Sequence, residues 1–325
     1  MGERILMTGV GAYLPSRVIS NDELSGWVDT SDEWIKQRTG IAQRHMVAEG
    51  ELTSDLAVAA AEKAISHAGI SASDLELIVI ATTTPDDTFP STATKVQRKL
   101  AAHNAFAFDV QAVCAGFIYA LTVAESMMQA GKANKALVVG AESFTKLLDW
   151  EDRATCVLFG DGAGAVILER QEASDDFGIL ASALHSDGNY RDILYVDGGP
   201  SATGDVGHVR MEGKEVFRHA VEKLSSVMDE VLVAANVPAE AVDWLVPHQA
   251  NLRIINGMQK KMGLSEDRVV RTVHKHANTS AASIPLALSE AVHDGRIKSG
   301  DLLALEAIGG GLAWGASLVR FGRPE

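Results

Sequence analysis

The sequence predicts an α/β protein made of two similar halves, and three observations support that prediction. Short apolar runs typical of buried strands alternate with longer helical segments along the 325 residues. The second half repeats the order of elements of the first, although no residue-level repeat is visible. A polar, loop-like segment at residues 170–178 separates the two, which predicts an N-terminal half at residues 1–172 and a C-terminal half at residues 173–325.

The first half is predicted to contain two helices and several strands. One helix is expected at residues 54–68, with Thr53 or Ser54 as its cap and Gly69 as its terminator. A second, apolar helix is expected from residue 114 to residue 130, closed by Gly131. The strands of this half are expected at residues 5–9, 77–82, 105–110, 136–139 and 163–169.

The second half is predicted to contain one long amphipathic helix and four strands. The helix is expected at residues 213–235, and the strands at residues 179–184, 243–247, 302–306 and 316–321. A glycine-rich turn lies between the last two strands, as another does between the corresponding strands of the first half. This order of elements indicates a duplicated architecture.

The charge of the chain excludes one broad class of function. A formal net charge of −14 argues against general nucleic-acid binding, which requires a basic surface to neutralise phosphates. Residues 253–275 reverse the trend, with a local charge of +4 against −18 for the rest of the chain. Such a cluster is more often a solvated helix face than a docking patch for an acidic partner, and charge alone leaves both interpretations open.

Cysteine usage and hydropathy indicate a cytoplasmic protein. Cys114 and Cys156 are the only cysteines, so the sequence contains neither a disulfide framework nor a Cys/His cluster with metal-ligand spacing. The N-terminus lacks the pattern of a secretory signal. The apolar stretch at residues 110–124 is shorter than the roughly 20 residues of a membrane-spanning helix, which favours a buried helix.

Two of the three glycine clusters have simple interpretations. Gly9 and Gly11 follow a strand, but the third glycine of a dinucleotide fingerprint would fall at Leu14, and Pro15 follows where a helix should begin. The cluster at residues 160–164 leads into a strand and predicts a tight turn between strands. The three glycines at residues 309–311 favour equally a bend between strands and a close backbone approach to a ligand or catalytic group.

Cys114 is the candidate nucleophile. It lies where a strand meets an apolar helix, so unpaired N–H groups and the helix dipole are expected to favour the thiolate near neutral pH. Ala115 and Gly116 beside it leave room for a substrate. An isolated cysteine is more often a small core residue, and Cys156 is interpreted in that way.

His248 and Asn278 complete a candidate catalytic set. His248 lies at a strand end in VPHQAN, and Asn278 lies in the small polar segment HANTSAAS. A single histidine in a loop is usually not functional. A Cys, a His and an Asn together at the ends of α/β elements are suited to nucleophilic chemistry on an acyl group.

The segments around these residues resemble those of the β-ketoacyl-acyl carrier protein synthase III family of the thiolase superfamily. The matching segments extend over nearly the whole chain in the family's order and spacing. They are SDEWIKQRTGI (31–41), FPSTA (89–93), DVQAVCAGF (109–117), FGDGAGA (159–165), PHQANLRI (247–254), HANTSAASIPLAL (276–288) and GGGLAWGASLVRF (309–321). The resemblance implies a thiolase-like fold of two pseudo-duplicated halves in a layered αβαβα arrangement.

The resemblance also implies a two-step reaction with no cofactor and no metal. A short acyl-CoA, expected to be acetyl-CoA, acylates Cys114 and releases CoA. Malonyl-acyl carrier protein then loses CO2, and the carbanion attacks the acyl-enzyme to give a β-ketoacyl product that initiates fatty acid synthesis. His248 and Asn278 are expected to donate hydrogen bonds to the enolate oxygen. The backbone N–H groups of Cys114 and Gly310 are expected to form the oxyanion hole.

The substrate contacts are also implied by the resemblance. For CoA they are Trp34, Arg38, Arg153 and Asn251; for the acidic carrier protein they are Arg253, Lys260 and Lys261. Phe89 corresponds to the residue that limits acyl length, which the family contributes across a homodimer interface, and its bulk favours short primers.

Two alternatives use the same residues. Related enzymes of secondary metabolism use similar Cys/His/Asn sets to join other acyl units or to acylate small molecules. The second alternative is an inactive acyl-binding or scaffold subunit, but the complete catalytic set argues against it. Gln111, Val113 and the Leu312-Ala313 pair depart from the family's common residues, which affects pocket shape rather than the chemistry.

Overall fold

The computed structural model describes residues 2–173 and 176–324. Their strands are β1 Gly2–Tyr13, β2 Arg17–Ser20, β3 Gln43–Met46, β4 Leu77–Ala81, β5 Phe106–Val110, β6 Lys135–Glu142, β7 Gly162–Ala173, β8 Gly178–Ser186, β9 Leu194–Val196, β10 Val209–Met211, β11 Trp244–Pro247, β12 Leu302–Gly309 and β13 Ala313–Arg320. Their helices are α1 Asn21–Leu24, α2 Asp32–Thr39, α3 Thr53–Ala68, α4 Thr92–Lys99, α5 Gly116–Gln129, α6 Arg153–Cys156, α7 Gly213–Ala235, α8 Leu252–Lys261, α9 Val273–His276 and α10 Ser283–His293.

Two mixed sheets form the framework. The first has the order β1-β7-β6-β4-β5, in which β4 is parallel to both β5 and β6. The second has the order β11-β12-β13-β8, in which β11 and β12 are parallel. The first sheet uses only residues before 174 and the second only residues after 177. The two-residue gap in the description, Ser174 and Asp175, falls in the segment where the sequence predicts the division between halves.

The elements stack in five layers, which confirms the predicted αβαβα arrangement. Helices α5 and α10 form the central layer, with one sheet on each side of them. Helices α3 and α4 cover the outer face of the first sheet, and α7 and α8 cover that of the second. Strand alternation explains the packing: in β4, Val79 faces the central layer while Ile78 and Ile80 face α3.

Helix α3 ends as predicted but begins differently. Gly69 ends it in the left-handed conformation, with φ of 71°. Gly40 ends α2 in the same way, with φ of 78°. Neither Thr53 nor Ser54 is the cap. The carboxylate of Asp55 accepts from the N–H of Leu52 at 2.9 Å, while the Thr53 hydroxyl donates to a neighbouring loop.

The apolar helix of the first half starts later than predicted. Helix α5 begins at Gly116, and Cys114 lies in the short turn Val113–Ala115 before it. Val113 has φ of 50°, which is a strained conformation for a β-branched residue. Residues 110–113 therefore belong to a strand end and a turn rather than to a continuous buried helix.

The glycines at residues 160–164 do not form a tight turn between strands, because the element before them is the short helix α6. They serve helix–sheet packing instead. A Cβ on Gly164 would lie 2.5 Å from the backbone N of Leu286 and the carbonyl C of Pro285 in α10. Gly9 and Gly11 in β1 approach α3 in the same manner, which agrees with rejecting a dinucleotide site.

Candidate active site

The candidate nucleophile lies just before α5, one of the two helices of the central layer. Cys114 follows β5 by four residues, is 4% exposed, and precedes the first turn of α5. The turn between β12 and β13 closes over its backbone: a Cβ on Gly309 would lie 2.5 Å from the N of Cys114 and 3.1 Å from the N of Ala115. The glycine run therefore fits both interpretations, because it is the bend between β12 and β13 and it also brings the backbone of Gly309 against that of Cys114.

His248 follows directly after β11 and is fixed at both its backbone and its ring. Its N–H donates to the carbonyl of Glu306 at 2.8 Å, and its Nδ1 lies 2.6 Å from the Ser283 hydroxyl. That hydroxyl oxygen already accepts from the N–H of Gln249 at 3.3 Å, so its own proton is free for Nδ1. When this hydroxyl donates to Nδ1, the ring carries its own proton on Nε2, which is the tautomer that can donate to a substrate.

Burial keeps the His248 ring neutral. It lowers the pKa of His248 to about 3, because an imidazolium would lose its hydration there. The imidazole is therefore an uncharged hydrogen-bond donor throughout the physiological range.

Asn278 is anchored by its backbone beside Phe159. Its N–H donates to the carbonyl of Leu158 at 2.9 Å, and its carbonyl accepts from the N–H of Gly160 at 3.0 Å. The side-chain Oδ1 accepts from the N–H of Ser280 at 2.9 Å. This bond fixes the amide orientation, and the NH2 group is directed away from it as a donor.

The chain segment 278–283 ties the three residues together. Ser283 contacts His248, Ser280 orients Asn278, and the turn Ser280–Ala282 packs beside Cys114, since a Cβ on Gly116 would lie 3.3 Å from the Cβ of Ala281. The two neutral donors and the thiol thus share one supporting segment, residues 278–283. Such an arrangement can form a thioester and stabilise an oxyanion or enolate.

The thiol itself departs from expectation. The helix terminus was expected to favour the thiolate, but burial raises the pKa of Cys114 to about 12. Removing the thiolate from water outweighs the Ser280 hydroxyl and the Cys114 N–H, which favour it. The neutral thiol is therefore the resting form. Cys156 is also a buried free thiol, as predicted for a core residue.

Several functional neighbours escaped the sequence analysis. The buried side chain of Gln249 accepts from the N–H of Thr272 at 2.8 Å and donates to the carbonyl of Pro247 at 2.8 Å, which holds the strand end before His248. Ser283 and Gln249 carry no signal in the sequence except the density of small polar residues around Asn278 and His248. Only the fold reveals their partners.

Glu306 is another buried group beside the site. It pairs with Pro247 across β11 and β12, and neither carboxyl oxygen has a hydrogen-bond partner among residues 2–173 and 176–324. Burial raises its pKa to about 8, so the carboxyl is protonated at neutral pH. The described residues contain no group of three or more His, Cys, Asp or Glu side chains that could hold a metal.

Three of the expected CoA contacts lie together. The guanidinium carbon of Arg38 is 4.6 Å, and that of Arg153 is 4.9 Å, from the ring centroid of Trp34. Arg153 also donates to the carbonyl of Asp29 at 2.9 Å. An indole held by two cations at the surface is a site that can receive an aromatic base and phosphates.

The remaining predicted residues lie on or near α8. Asn251 caps this helix by accepting from the N–H groups of Arg253 at 3.0 Å and Ile254 at 3.1 Å. The Arg253 guanidinium lies 5.0 Å from the ring centroid of Phe217 in α7. Lys260 and Lys261 are exposed in the last turn of α8. Phe89, in the loop between β4 and α4, is 84% exposed in the single chain.

Comparisons with known proteins agree with this geometry. Residues 108–188 match the family described as 3-oxoacyl-[acyl-carrier-protein (ACP)] synthase III, and residues 232–321 match its C-terminal region. The chain is 60% identical to the beta-ketoacyl-[acyl-carrier-protein] synthase III of Paramagnetospirillum magneticum, with 98% of this chain and 99% of the relative covered.

Solved structures give the same result. The 3-oxoacyl-(acyl carrier protein) synthase III of Pseudomonas aeruginosa has a TM-score of 0.93 at 40% identity, covering 99% of each chain. The priming beta-ketosynthase of the R1128 polyketide pathway has a TM-score of 0.93 at 34% identity, covering 100% of this chain and 99% of its own. The sequence matches, the fold and the Cys/His/Asn arrangement together show that this chain belongs to the 3-oxoacyl-[acyl-carrier-protein] synthase III family.

Proposed function

We propose that this protein condenses a short acyl-CoA, preferably acetyl-CoA, with malonyl-acyl carrier protein to give β-ketoacyl-acyl carrier protein, CoA and CO2. The observation that carries the proposal is the role of the segment 278–283. It contains Asn278, and both His248 and the buried Cys114 pack beside it. A decarboxylating condensation needs a nucleophile to hold the acyl group and neutral donors for an enolate. The family match supports the same reaction.

In this proposal Cys114 attacks the acyl thioester, and CoA leaves with the thiol proton. The N–H groups of Cys114 and Gly310 stabilise the tetrahedral oxyanion. After malonyl-carrier protein binds, His248 Nε2–H and the Asn278 amide donate to the thioester oxygen while CO2 leaves. The enolate carbon then attacks the acyl group on Cys114, the Cys114 sulfur leaves as a thiolate, and a proton from solvent regenerates the thiol.

The reaction requires no resident cofactor, since the thioester itself delocalises the developing negative charge. The two halves of the protein, residues 1–172 and 173–325, would contribute the nucleophile and the two donors respectively. We place the reaction in the cytoplasm, because both cysteines are free thiols, as in proteins of reducing compartments. No helix among the described residues has the length and apolarity to cross a membrane.

The CoA nucleotide is proposed to stack at Trp34 between the cations of Arg38 and Arg153. Asn251 uses its Oδ1 to cap α8, so its amide NH2 is the group available to the pantetheine arm. An acidic carrier protein is proposed to dock on the surface of Arg253, Lys260 and Lys261. These cations face the solvent in a chain of net charge −14, which gives the partner a localised target.

We further propose that two copies of the chain form a homodimer through β5. This strand pairs only with β4 on one side within the described structure, and its other edge carries the exposed apolar residue Phe106. An open apolar edge is an aggregation site unless another strand covers it. Phe89, 84% exposed in the single chain, would then enter the acyl pocket of the second copy. A monomer in sedimentation equilibrium at micromolar concentration would contradict this assembly.

The experiment that tests the function supplies acetyl-CoA and malonyl-carrier protein and follows CO2 release and the carrier-bound product by mass spectrometry. Acetoacetyl-carrier protein is expected with the native chain and absent with Cys114→Ser. Acylated Cys114 without any product from malonyl-carrier protein would refute the initiating condensation.

A second function is favoured by the similarity to the priming ketosynthase of a polyketide pathway. In that case the same catalytic residues would start a secondary metabolite with a different acyl unit. Profiling several acyl-CoA primers against several carrier proteins separates the two functions, because fatty acid initiation requires acetyl-CoA and the cell's fatty-acid carrier protein to be the preferred pair.

Charge reversal at the docking surface is expected to separate the two half-reactions. The double variant Lys260→Glu/Lys261→Glu should lower kcat/KM for malonyl-carrier protein by about 10-fold or more, because it removes electrostatic steering. Acylation of Cys114 by acetyl-CoA should be unchanged, as measured by the mass of the intact protein.

The matched control is Lys132→Glu/Lys298→Glu, which changes the net charge equally at two exposed lysines outside α8, in the segments before β6 and β12. If both double variants weaken the carrier-protein reaction to the same degree, the docking surface is elsewhere.

A further inference from the structure

The Ser280 hydroxyl is an unusual group beside the nucleophile. Ser280 has φ of 50°, a strained conformation for a residue with a side chain, and its hydroxyl is buried without a hydrogen-bond partner of good geometry among the described residues. The turn that carries it nevertheless packs beside two acidic residues: a Cβ on Gly116, two residues after Cys114, would lie 3.3 Å from the Cβ of Ala281, and one on Gly140, two residues before Glu142, would lie 2.1 Å from the carbonyl O of Ala281. A buried hydroxyl that is held under strain between two acids needs an explanation.

Glu142 reaches this position from the end of β6. Alternate residues of β6 face the central layer, and a Cβ on Gly140 would lie 2.1 Å from the carbonyl O of Ala281, so this face abuts the turn Ser280–Ala282. Glu142 is the next residue on the same face and is fully buried. It therefore lies against the same turn that carries Ser280.

Three consecutive threonines hold the Glu142 carboxyl. The Thr84 hydroxyl donates at 2.7 Å, the Thr83 hydroxyl at 2.9 Å and the Thr83 N–H at 3.1 Å, and the Thr82 hydroxyl lies 3.4 Å away. These donors favour the carboxylate, but burial outweighs them and raises the pKa of Glu142 to about 7. Both protonation states are accessible at neutral pH.

Few other charges act on this pair. Cys114 is the titratable group that faces Glu142 from the turn before α5, and the ends of β4 and β7 present threonines and Gly162. Asp161, before β7, is engaged with the N–H groups of Val47 and Thr145. His248, directly after β11 of the second sheet, is neutral because burial lowers its pKa to about 3.

We propose that Ser280 and Glu142 are positioning residues that control the reactivity of Cys114 through one reversible hydrogen-bond chain. The inference rests on Cys114 being the nucleophile of the proposed function, and it adds a regulator of that nucleophile. When Glu142 is protonated, its O–H donates to Ser280 and the Ser280 hydroxyl donates to Sγ, which favours the thiolate. When Glu142 is ionised, the Ser280 hydroxyl turns to the carboxylate, and the thiol loses its donor and faces a negative charge.

The test is the pH dependence of Cys114 alkylation by iodoacetamide, with the modified cysteine identified by peptide mass spectrometry. In the native protein the logarithm of the rate should rise with pH, flatten between about pH 7 and pH 8 as Glu142 ionises, and then rise again below the line of the Glu142→Gln variant. In Glu142→Gln the amide donates permanently to Ser280, so the rise should continue unbroken. The alkylation rates of the native protein and of Glu142→Gln should coincide near pH 6. Near pH 9 the variant should react about 10-fold faster, the ratio expected if ionised Glu142 raises the pKa of Cys114 by about one unit.

Ser280→Ala and Ser280→Gly provide the second arm, and the glycine removes the strain at φ of 50°. In either background the Glu142→Gln change should no longer alter the profile. The proposal is overturned if Glu142→Gln has the same pH profile as the native protein. It is also overturned if Glu142→Gln changes the profile as strongly in the Ser280→Ala background as in the native one. Should Glu142→Gln fail to fold, Thr84→Val must move the flattening to higher pH, because it removes a donor that favours the carboxylate. Alkylation needs neither CoA nor carrier protein, so failure here is distinct from failure of the proposed reaction.

Discussion

Replacing Asn278 with alanine is expected to lower the rate of decarboxylative condensation by about 10²–10³-fold, the usual cost of removing one donor from a developing oxyanion. The Asn278 amide is oriented by the bond from Ser280 N–H to its Oδ1, so the NH2 group is already directed as a donor before substrate binds. Acylation of Cys114 should survive better, because the Cys114 and Gly310 N–H groups serve that step. Burst measurements of CoA release and of CO2 release separate the two half-reactions.

His248→Ala should show the same split, since the neutral ring is proposed to act on the enolate rather than as the base that activates the thiol. Asn104→Ala is the matched control, because Asn104 is exposed and its amide donates to the carbonyl of Ser73 at 2.9 Å, on the surface. Equal loss of acylation and condensation in either catalytic variant would contradict this division of roles.

Gly309→Ala is expected to impair the nucleophile itself. The new Cβ would lie 2.5 Å from the N of Cys114 and 3.1 Å from the carbonyl O of Ala112, and both are backbone atoms that cannot rotate away. Overpacking of this kind costs about 1–3 kcal/mol of unfolding free energy. The shift of the Cys114 N–H away from the oxyanion should also reduce acylation by about 10²-fold or more.

Urea unfolding and the mass of the acylated intact protein measure the two effects. Gly188→Ala is the control, because a Cβ at Gly188 would meet no atom within 4 Å. Normal acylation by a folded Gly309→Ala protein would show that the closeness of the two backbones is not required for the reaction.

Much of the architecture follows from local patterns. The amphipathic period of residues 213–235 predicts helix α7 with the observed ends, and the apolar runs predict the strands that build the two sheets. Errors occur at boundaries: Cys114 precedes α5 instead of starting it, because Gly309 and Val113 impose a strained turn there. A contact from another part of the chain leaves no trace in local periodicity.

The candidate site divides in the same way. The sequence by itself determined the α/β class, the family resemblance and the choice of Cys114, His248 and Asn278, because residue types and their order along the chain carry that information. Only the tertiary structure decided that burial raises the pKa of Cys114 and that the Ser283 hydroxyl lies against Nδ1 of His248. Only it brought Glu142 against the turn that carries Ser280. Desolvation and hydrogen-bond partners depend on how five layers pack, and residues distant in sequence create them.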